Sequence, residues 1–446
     1  MTEEQYFSGR KLLLAEIPKQ WRNPEILANL QRRASMVGKG LKIKCLRCGT
    51  SHLKEAVKLV QGQVIYYYCP SCIQLGRNQS NQKMYYQKDG NQLTERSVDF
   101  AWQGQLTSLQ EQASREIAER MARNQELLLH AVTGAGKTEM LFLGIYQSLK
   151  QGKRVCLASP RVDVCLELYP RLQEAFPAEQ VMLLYGKQKE AYRYSQLVIC
   201  TTHQLLRFSK AFEVVVIDEI DSFPYVNNPM LHYGARQACK DRSSRIYLSA
   251  TPTVELVKRV ALKEVKEIIV YQRYHGKKIP VPIGKWVNNW QKMTERPVLS
   301  KRLKQVFTQQ LVKERQTLVF CPTIKWLLAF EKVLKSTFPT VKIGTAHGKD
   351  SQRQAKVTAM RQGAYQFFLT STILERGVTF KDIDVIVIGS NQGLFTKAVL
   401  IQIAGRVGRS SEHPTGLVLF IHDGWSRSMK QAIKEIKKMN RLGGSL

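Results

Sequence analysis

Leu127 to Thr138, LLLHAVTGAGKT, runs from an apolar stretch through a glycine-rich turn into a Lys-Thr pair that opens an amphipathic segment. Gly134 and Gly136 have no side chain to obstruct the backbone, so successive N–H groups can point inward at phosphate oxygens, helped by the positive end of a following helix. The pattern predicts a nucleotide phosphate loop with Thr133, Gly134, Ala135 and Gly136 as its cradle. Lys137 would reach the β- and γ-phosphates of ATP, and Thr138 would offer its hydroxyl to Mg²⁺. The usual first glycine of such loops is Ala131 here. Further on, VVVI leads into Asp218-Glu219-Ile220-Asp221. Asp218 is expected to hold the Mg²⁺ water shell, and Glu219 to orient and deprotonate the attacking water. Arg406 and Arg409 stand three apart in QIAGRVGR, a spacing read as one helical turn that directs both to one side. Such arginines stabilise charge on the departing γ-phosphoryl group. Gln110, upstream of the loop, is the candidate adenine reader, because its amide matches the N6 donor and N7 acceptor of the base. The alternative is a surface Gln on an amphipathic helix.

A second chemistry sits near the N-terminus. Cys45-x-x-Cys48 and Cys69-x-x-Cys72 can each bend a knuckle that brings two thiolates together, and two knuckles complete a tetrahedral four-sulfur site suited to Zn²⁺. Four thiolates leave no position for water, so the expected role is structural. Lys42, Lys44, Arg47, Lys54, Lys58, Arg77 and Lys83 flank the site, with Tyr66, Tyr67, Tyr68, Tyr85 and Tyr86 interleaved. That mixture suits phosphate contact and base stacking on a single strand. Tyrosines packing the small zinc core are the competing reading.

Elements must position these groups. Apolar, β-branched runs at 154–160, 197–202, 213–219 and 245–251 alternate with helical patterns, which predicts a parallel sheet covered by helices, with ligands at the carboxyl ends of its strands. Ser249 and Thr251 close the fourth run and could link the acidic cluster to a second domain. Runs at 317–323, 341–348, 366–373, 384–390 and 416–422 repeat the architecture without a phosphate loop. Between the two sets, 271–296 is rich in Pro, Gly, Lys and aromatics and reads as a hinge or crossing. A helix is expected from Pro24 to Met36, and a basic amphipathic helix at the C-terminus that either packs on the second lobe or binds a partner.

The 446 residues allow roughly three domains. The domains expected are an N-terminal basic region with the zinc module at 1–99, an ATP-binding lobe at 100–275, a linker at 276–296 and a second lobe with the basic helix at 297–446. Lys and Arg number 68 against 36 Asp and Glu, a formal charge of +32. This favours a polyanionic partner, with nucleic acid ahead of an acidic membrane surface. No apolar run approaches a membrane span, and MTEEQYFSGR lacks a signal-peptide layout. A cytoplasmic protein is expected. Cys156, Cys165, Cys200, Cys239 and Cys321 read as buried thiols in a reducing compartment.

AVTGAGKT, SPRVDV, TTHQLL, DEID, SAT, VFCPT, TSTILERGVT and QIAGRVGR occur in the order and spacing of superfamily 2 helicase motifs over about residues 100–425. The chain thus resembles that superfamily, and the resemblance implies an α/β fold of two RecA-like parallel-sheet lobes behind a small zinc-ribbon-like domain. The four-cysteine module in front, and DEID followed by SFPY, resemble the ComFA family of competence ATPases. The replication-restart helicases of the PriA type are similar in the motor but longer, with zinc sites inserted late. Residue by residue, the resemblance implies the nucleotide roles above and strand contacts by Arg161, Thr202, Thr323 and Thr370. In motif V, Glu375-Arg376-Gly377-Val378-Thr379 lacks the Asp that many relatives place after Arg-Gly, which puts ribose contact there in doubt. It further implies a motor on single-stranded DNA, drawing transforming DNA into the cytoplasm. Its partners would be competence proteins: a membrane DNA channel, ComFC-type proteins and recombination-loading proteins. Peripheral attachment at the inner face of the membrane and a homo-oligomer both remain open, as does an ATP-switched, zinc-dependent DNA-binding adaptor.

Overall fold

The computed structural model describes residues 1–90, 94–186, 190–294, 298–375 and 377–444. It divides into two compact units, Met1–His130 with Lys137–Ile268, and Ala131–Gly136 with Ile269–Leu446. Each centres on a parallel sheet, the RecA-like arrangement. No helix among the described residues is long and apolar enough to cross a membrane.

In the first unit seven strands lie in the order Val181–Leu184, Leu197–Thr201, Val155–Ser159, Phe212–Ile217, Cys239–Ser249, Glu126–Ala131 and Lys266–Val270. The ladders from the first of these to Glu126–Ala131 are parallel. Helices Lys137–Lys150 and Val162–Ala175 connect strands of this sheet. Strands covered on both faces need continuous rather than alternating apolar sequence, and Val155–Ser159 and Leu197–Thr201 are buried at every position. The five lone cysteines are all buried.

The N-terminal residues fold onto the same unit. Lys11–Leu13, Lys83–Tyr86 and Gln31–Ala34 form an antiparallel sheet. Met36–Lys39, Lys42–Cys45 and Ser51–Leu53 form a second, and Lys58–Gln61 pairs with Val64–Tyr67. One core runs without a break from Tyr6, Phe7 and the four paired cysteines to Val215 and Ile217 of the large sheet. The helix expected from Pro24 to Met36 is shorter than that. It stops at Asn29, where Leu30 turns extended and buries its side chain, and Gln31–Ala34 gives its backbone to Lys83–Tyr86 instead.

In the second unit the order is Ile283–Trp286, Val418–His422, Ile383–Ile388, Gln316–Phe320, Phe367–Thr370 and Ile343–Ala346, parallel throughout. Ile283–Trp286, in the stretch expected to cross between lobes, is an edge strand of this sheet. Glu295 and Arg296 of that stretch lie outside the described residues. The C-terminal helix Arg427–Gly443 packs within this unit through Met429, Ala432, Ile436 and Met439, the i, i+3, i+4 stripe of an amphipathic helix, and leaves Lys430, Lys434, Lys437 and Lys438 exposed.

Candidate nucleotide, metal and strand sites

The phosphate-loop sequence leaves the strand Glu126–Ala131 and ends in the helix that opens at Lys137. Gly134 and Gly136 take φ of 84° and 72°, values a side chain would strain. Lys137 and Thr138 begin the helix, which is the position that lets them address a bound phosphate. Thr138 Oγ1 accepts from Arg171 Nη1 at 3.1 Å, and Arg171 also pairs with Glu139. Arg171 thus holds the hydroxyl assigned to Mg²⁺, a contact that sequence reasoning missed because Arg171 stands outside every motif and no spacing links it to Thr138.

Asp218 and Glu219 follow the strand Phe212–Ile217. Glu219 has φ of 55°, left-handed for a residue with a side chain, and its N–H donates to Asp218 Oδ1 at 2.8 Å. Asp221 is clamped by both hydroxyls of the SAT segment, accepting from Ser249 Oγ at 2.8 Å and Thr251 Oγ1 at 2.5 Å. These hydroxyls, expected to reach toward a second domain, brace the acidic turn from within the first unit. Gln110 is buried and caps its own helix. Its Oε1 accepts from Thr107 N at 2.8 Å, and Thr107 Oγ1 accepts from Gln110 N at 3.4 Å. That reciprocal capping box is neither a surface Gln nor a side chain given wholly to a base.

In the second unit the helix Lys397–Ala404 ends before the two arginines, so they do not share a helical face as the spacing suggested. Gly405 caps it and Gly408 takes φ of 67°, which turns the chain. Arg406 is buried, with Nε donating to Glu375 O at 3.0 Å. Arg409 is half-buried; its Nε donates to Gly405 O at 3.2 Å and its Nη1 to Thr379 Oγ1 at 3.1 Å. Arg376, beside Glu375 in the same motif, lies outside the described residues. Thr133, which belongs to this unit, donates its hydroxyl to Gln402 Oε1 at 3.0 Å.

The arginine turn is held from the stretch read as a hinge. Buried Arg273 donates to the carbonyls of Gly408 at 2.6 Å, Val407 at 2.9 Å and Gly405 at 3.0 Å. His275 Nε2 lies 3.0 Å from Gly408 O, and Tyr274 donates its hydroxyl to Arg409 O at 3.0 Å. Burial, with Arg409 adding to it, pulls the Arg273 guanidinium down to about 10, so it stays charged at neutral pH. Arg273→Met keeps the aliphatic stem and removes every donor. It is expected to lower kcat for ATP by about 10²-fold, the cost of a misplaced reacting group, with KM little changed. Steady-state kinetics beside a melting curve check this, since a merely structural loss would lower the melting temperature without splitting kcat from KM.

The four paired cysteines meet as predicted: their sulfurs all lie within 4.8 Å of one another and all four side chains are buried. Around them, Asn78 Nδ2 donates to Cys45 Sγ at 3.0 Å and Arg47 Nη2 to Cys72 Sγ at 3.2 Å, while His52 Nε2 lies 3.3 Å from Cys69 Sγ. Donors facing sulfur are what a thiolate set needs, so the donor chemistry fits a divalent, sulfur-loving cation such as Zn²⁺. Arg47, expected among the surface basic residues, is instead fully buried against this site. Lys11 is buried beside it, donating to Arg47 O at 3.1 Å, and burial pulls its ammonium down to about 8 against the thiolates. Of the tyrosines, Tyr67, Tyr68 and Tyr85 are half-buried against the core, and Tyr86 lies under the Arg33 guanidinium.

The strand residues divide. Thr323 is exposed and caps the helix Ile324–Thr337, its Oγ1 accepting from Trp326 N at 3.1 Å. Arg161 is half-buried at the start of Val162–Ala175. Thr202 and Thr370 are fully buried, so their hydroxyls do not face the surface on which a strand would lie. Each follows or ends a sheet strand whose tight packing takes in the side chain.

Comparison with known proteins gives three family matches: the DEAD/DEAH box helicase family over residues 107–260, the helicase conserved C-terminal domain over 300–411, and the competence protein ComFA N-terminal domain over 2–86. Among solved structures, Dbp5 of S. cerevisiae bound to RNA and ADP BeF3 aligns with a TM-score of 0.53 at 16% identity, covering 75% of this chain and 91% of that one, a likeness of fold alone. Competence protein ComFA of Bacillus subtilis is 37% identical over 405 residues, 91% of this chain and 87% of its own length. Competence protein ComFA of Streptococcus pneumoniae is 42% identical over 405 residues, 90% of this chain and 91% of its own. The helicase-type lobes make the protein an ATPase of the helicase superfamily, and the likeness over nine-tenths of its length, cysteine region included, places the chain in the ComFA family of competence proteins.

Proposed function

We propose that the protein is an ATP-driven translocase on single-stranded DNA that powers entry of transforming DNA into the cytoplasm. Membership of a competence family supports the setting, and the ordered ATPase motifs support the motor. The observation that carries the reading is the acidic turn at the end of Phe212–Ile217, braced through Asp221 by the SAT hydroxyls, in the same sheet as the phosphate-loop strand. In this reading Thr133 to Gly136 cradle the phosphates, Lys137 neutralises them, and Thr138 and Asp218 hold Mg²⁺. Glu219 is the base, Gln110 lies beside the adenine, and Arg406 and Arg409 stabilise the departing charge. Arg161 and Thr323 meet the strand from helix starts, while buried Thr202 and Thr370 shape the turns that meet it. Bound Zn²⁺ at Cys45, Cys48, Cys69 and Cys72 would supply a structural crosslink with no open position. In this reading the cysteine region extends through 99, the first lobe from 100 to 275 and the second lobe from 297, with 276–296 as the linker. Incoming DNA implies contact with a membrane channel and with competence proteins that receive the strand.

The test is ATP hydrolysis by wild type and Lys137→Ala at fixed salt, with no polymer, single-stranded DNA, duplex DNA or RNA. Fixed salt matters because phosphate contacts make affinity strongly salt-dependent. Strong stimulation by single-stranded DNA alone, lost in the variant, is expected. Equal stimulation by RNA, or none by any polymer, would remove the DNA track.

A further inference from the structure

The metal centre and the turn Gln204–Arg207 are joined by side chains that no motif accounts for. Arg47, inside the first knuckle, donates to Cys72 Sγ from Nη2 at 3.2 Å and from Nε at 3.4 Å, and its Nη1 faces Glu16 Oε1 at 3.6 Å. The same carboxylate oxygen accepts from Arg207 Nε at 2.8 Å. Arg207 Nη1 then donates to Gln204 Oε1 at 2.6 Å, closing the turn that follows Thr202. The Glu16 side chain is 9% exposed, and its other oxygen accepts from Leu13 N at 2.9 Å. Backbone contacts run beside this line: Ser209 N donates to Gly9 O at 2.9 Å, and Arg10 bridges Phe208.

A carboxylate held between two guanidinium groups transmits position well, because moving either arginine strips a nearly buried charge of one of its two partners. One of these arginines takes its orientation from the second knuckle, from Cys72 Sγ and from the carbonyls of Cys72, Leu75 and Gly76, and the other fixes a turn of the ATPase lobe. We propose that Glu16 is a positioning residue coupling the four-cysteine metal centre to the turn Gln204–Arg207, so that an intact centre holds this turn in its strand-binding form. The coupling to DNA rests on the single-strand reading above; the coupling between the two places does not. A knuckle that opens on metal loss no longer fixes Arg47, and Glu16 with Arg207 loses its anchor.

The experiment uses the full zinc-loaded chain as wild type, Glu16→Gln and Arg207→Gln. Glu16→Gln keeps the size and an oxygen for Leu13 N but removes the charge. Three quantities are read: the rate of zinc transfer to a chromophoric chelator, affinity for a fluorescent oligo-dT at fixed salt, and kcat with the DNA concentration for half-stimulation. Both variants are expected to lose zinc about tenfold faster, a drop of about 1.4 kcal/mol in the barrier to release. Glu16→Gln should also weaken oligo-dT binding about tenfold, with kcat at saturating DNA within about twofold of wild type. Faster zinc loss with unchanged DNA affinity, or weaker DNA binding with unchanged zinc loss, overturns the proposal. A wild type that does not bind oligo-dT removes the strand reading and the metal's control of DNA affinity with it. The physical coupling is then judged by Arg207→Gln alone, and unchanged zinc release there overturns that too.

Discussion

Glu219→Gln is expected to leave Mg²⁺-ATP bound while turnover falls by about 10² to 10⁴-fold, the contribution of a positioned general base. The backbone makes the case for this residue over its neighbours. Glu219 stands at φ of 55°, a conformation that costs energy for a residue with a side chain and that persists where surrounding contacts enforce it. Those contacts are present: its N–H is tied to Asp218 Oδ1, and its neighbour Asp221 is fixed by two hydroxyls. In the proposed mechanism this turn presents Asp218 to the metal and Glu219 to the water. Glutamine keeps the shape and loses the proton acceptor, so nucleotide affinity measured with a fluorescent ATP analogue should stay near wild type. Asp218→Asn should instead weaken the Mg²⁺ dependence. Substantial turnover by Glu219→Gln would move the base elsewhere.

The parallel sheets were legible because strands buried on both faces must be written as apolar runs, and each of the nine runs read from the sequence holds a strand. The four-cysteine centre was equally legible, since C-x-x-C spacing dictates convergence whatever surrounds it. The misreadings share a cause, which is that spacing describes a local conformation and not where it stops. Arg406 and Arg409 have helical spacing, yet the helix ends at Gly405 before them and Gly408 turns the chain between them. Arg32 and Arg33 continue a plausible helix, but Gln31–Ala34 pairs with a strand some fifty residues away.

Charge misled in the same way. Arg47 counts toward the basic surface in composition, while its guanidinium is spent on a cysteine sulfur, Glu16 and the carbonyls of Cys72, Leu75 and Gly76. The hinge-like composition of residues 271–296 concealed Arg273, because hydrogen bonds to backbone carbonyls leave no trace in the partner's sequence. Long-range contacts of this kind, among them Arg171 to Thr138, are where sequence reading stops.

Arg406→Ala is expected to lower kcat by about 10³ to 10⁵-fold, the range for an arginine that neutralises the transferring phosphoryl group. Of the two arginines it is the more tightly fixed, 1% exposed with Nε committed to Glu375 O, so its remaining donors are oriented by packing. Such pre-orientation is what makes charge effective in a transition state, because no reorganisation is needed as the charge develops. Arg406→Lys should not restore activity, since an ammonium cannot keep the Glu375 contact and present a second donor in the same plane. Arg409 is less enclosed and shares its Nη1 with Thr379, so Arg409→Ala should cost less, and Thr379→Val should reproduce part of that loss. Single-turnover rates with saturating ATP, beside melting curves for each variant, separate chemistry from folding. A larger loss for Arg409→Ala than for Arg406→Ala would reverse the assignment, and the half-buried arginine would then be the one that meets the phosphate.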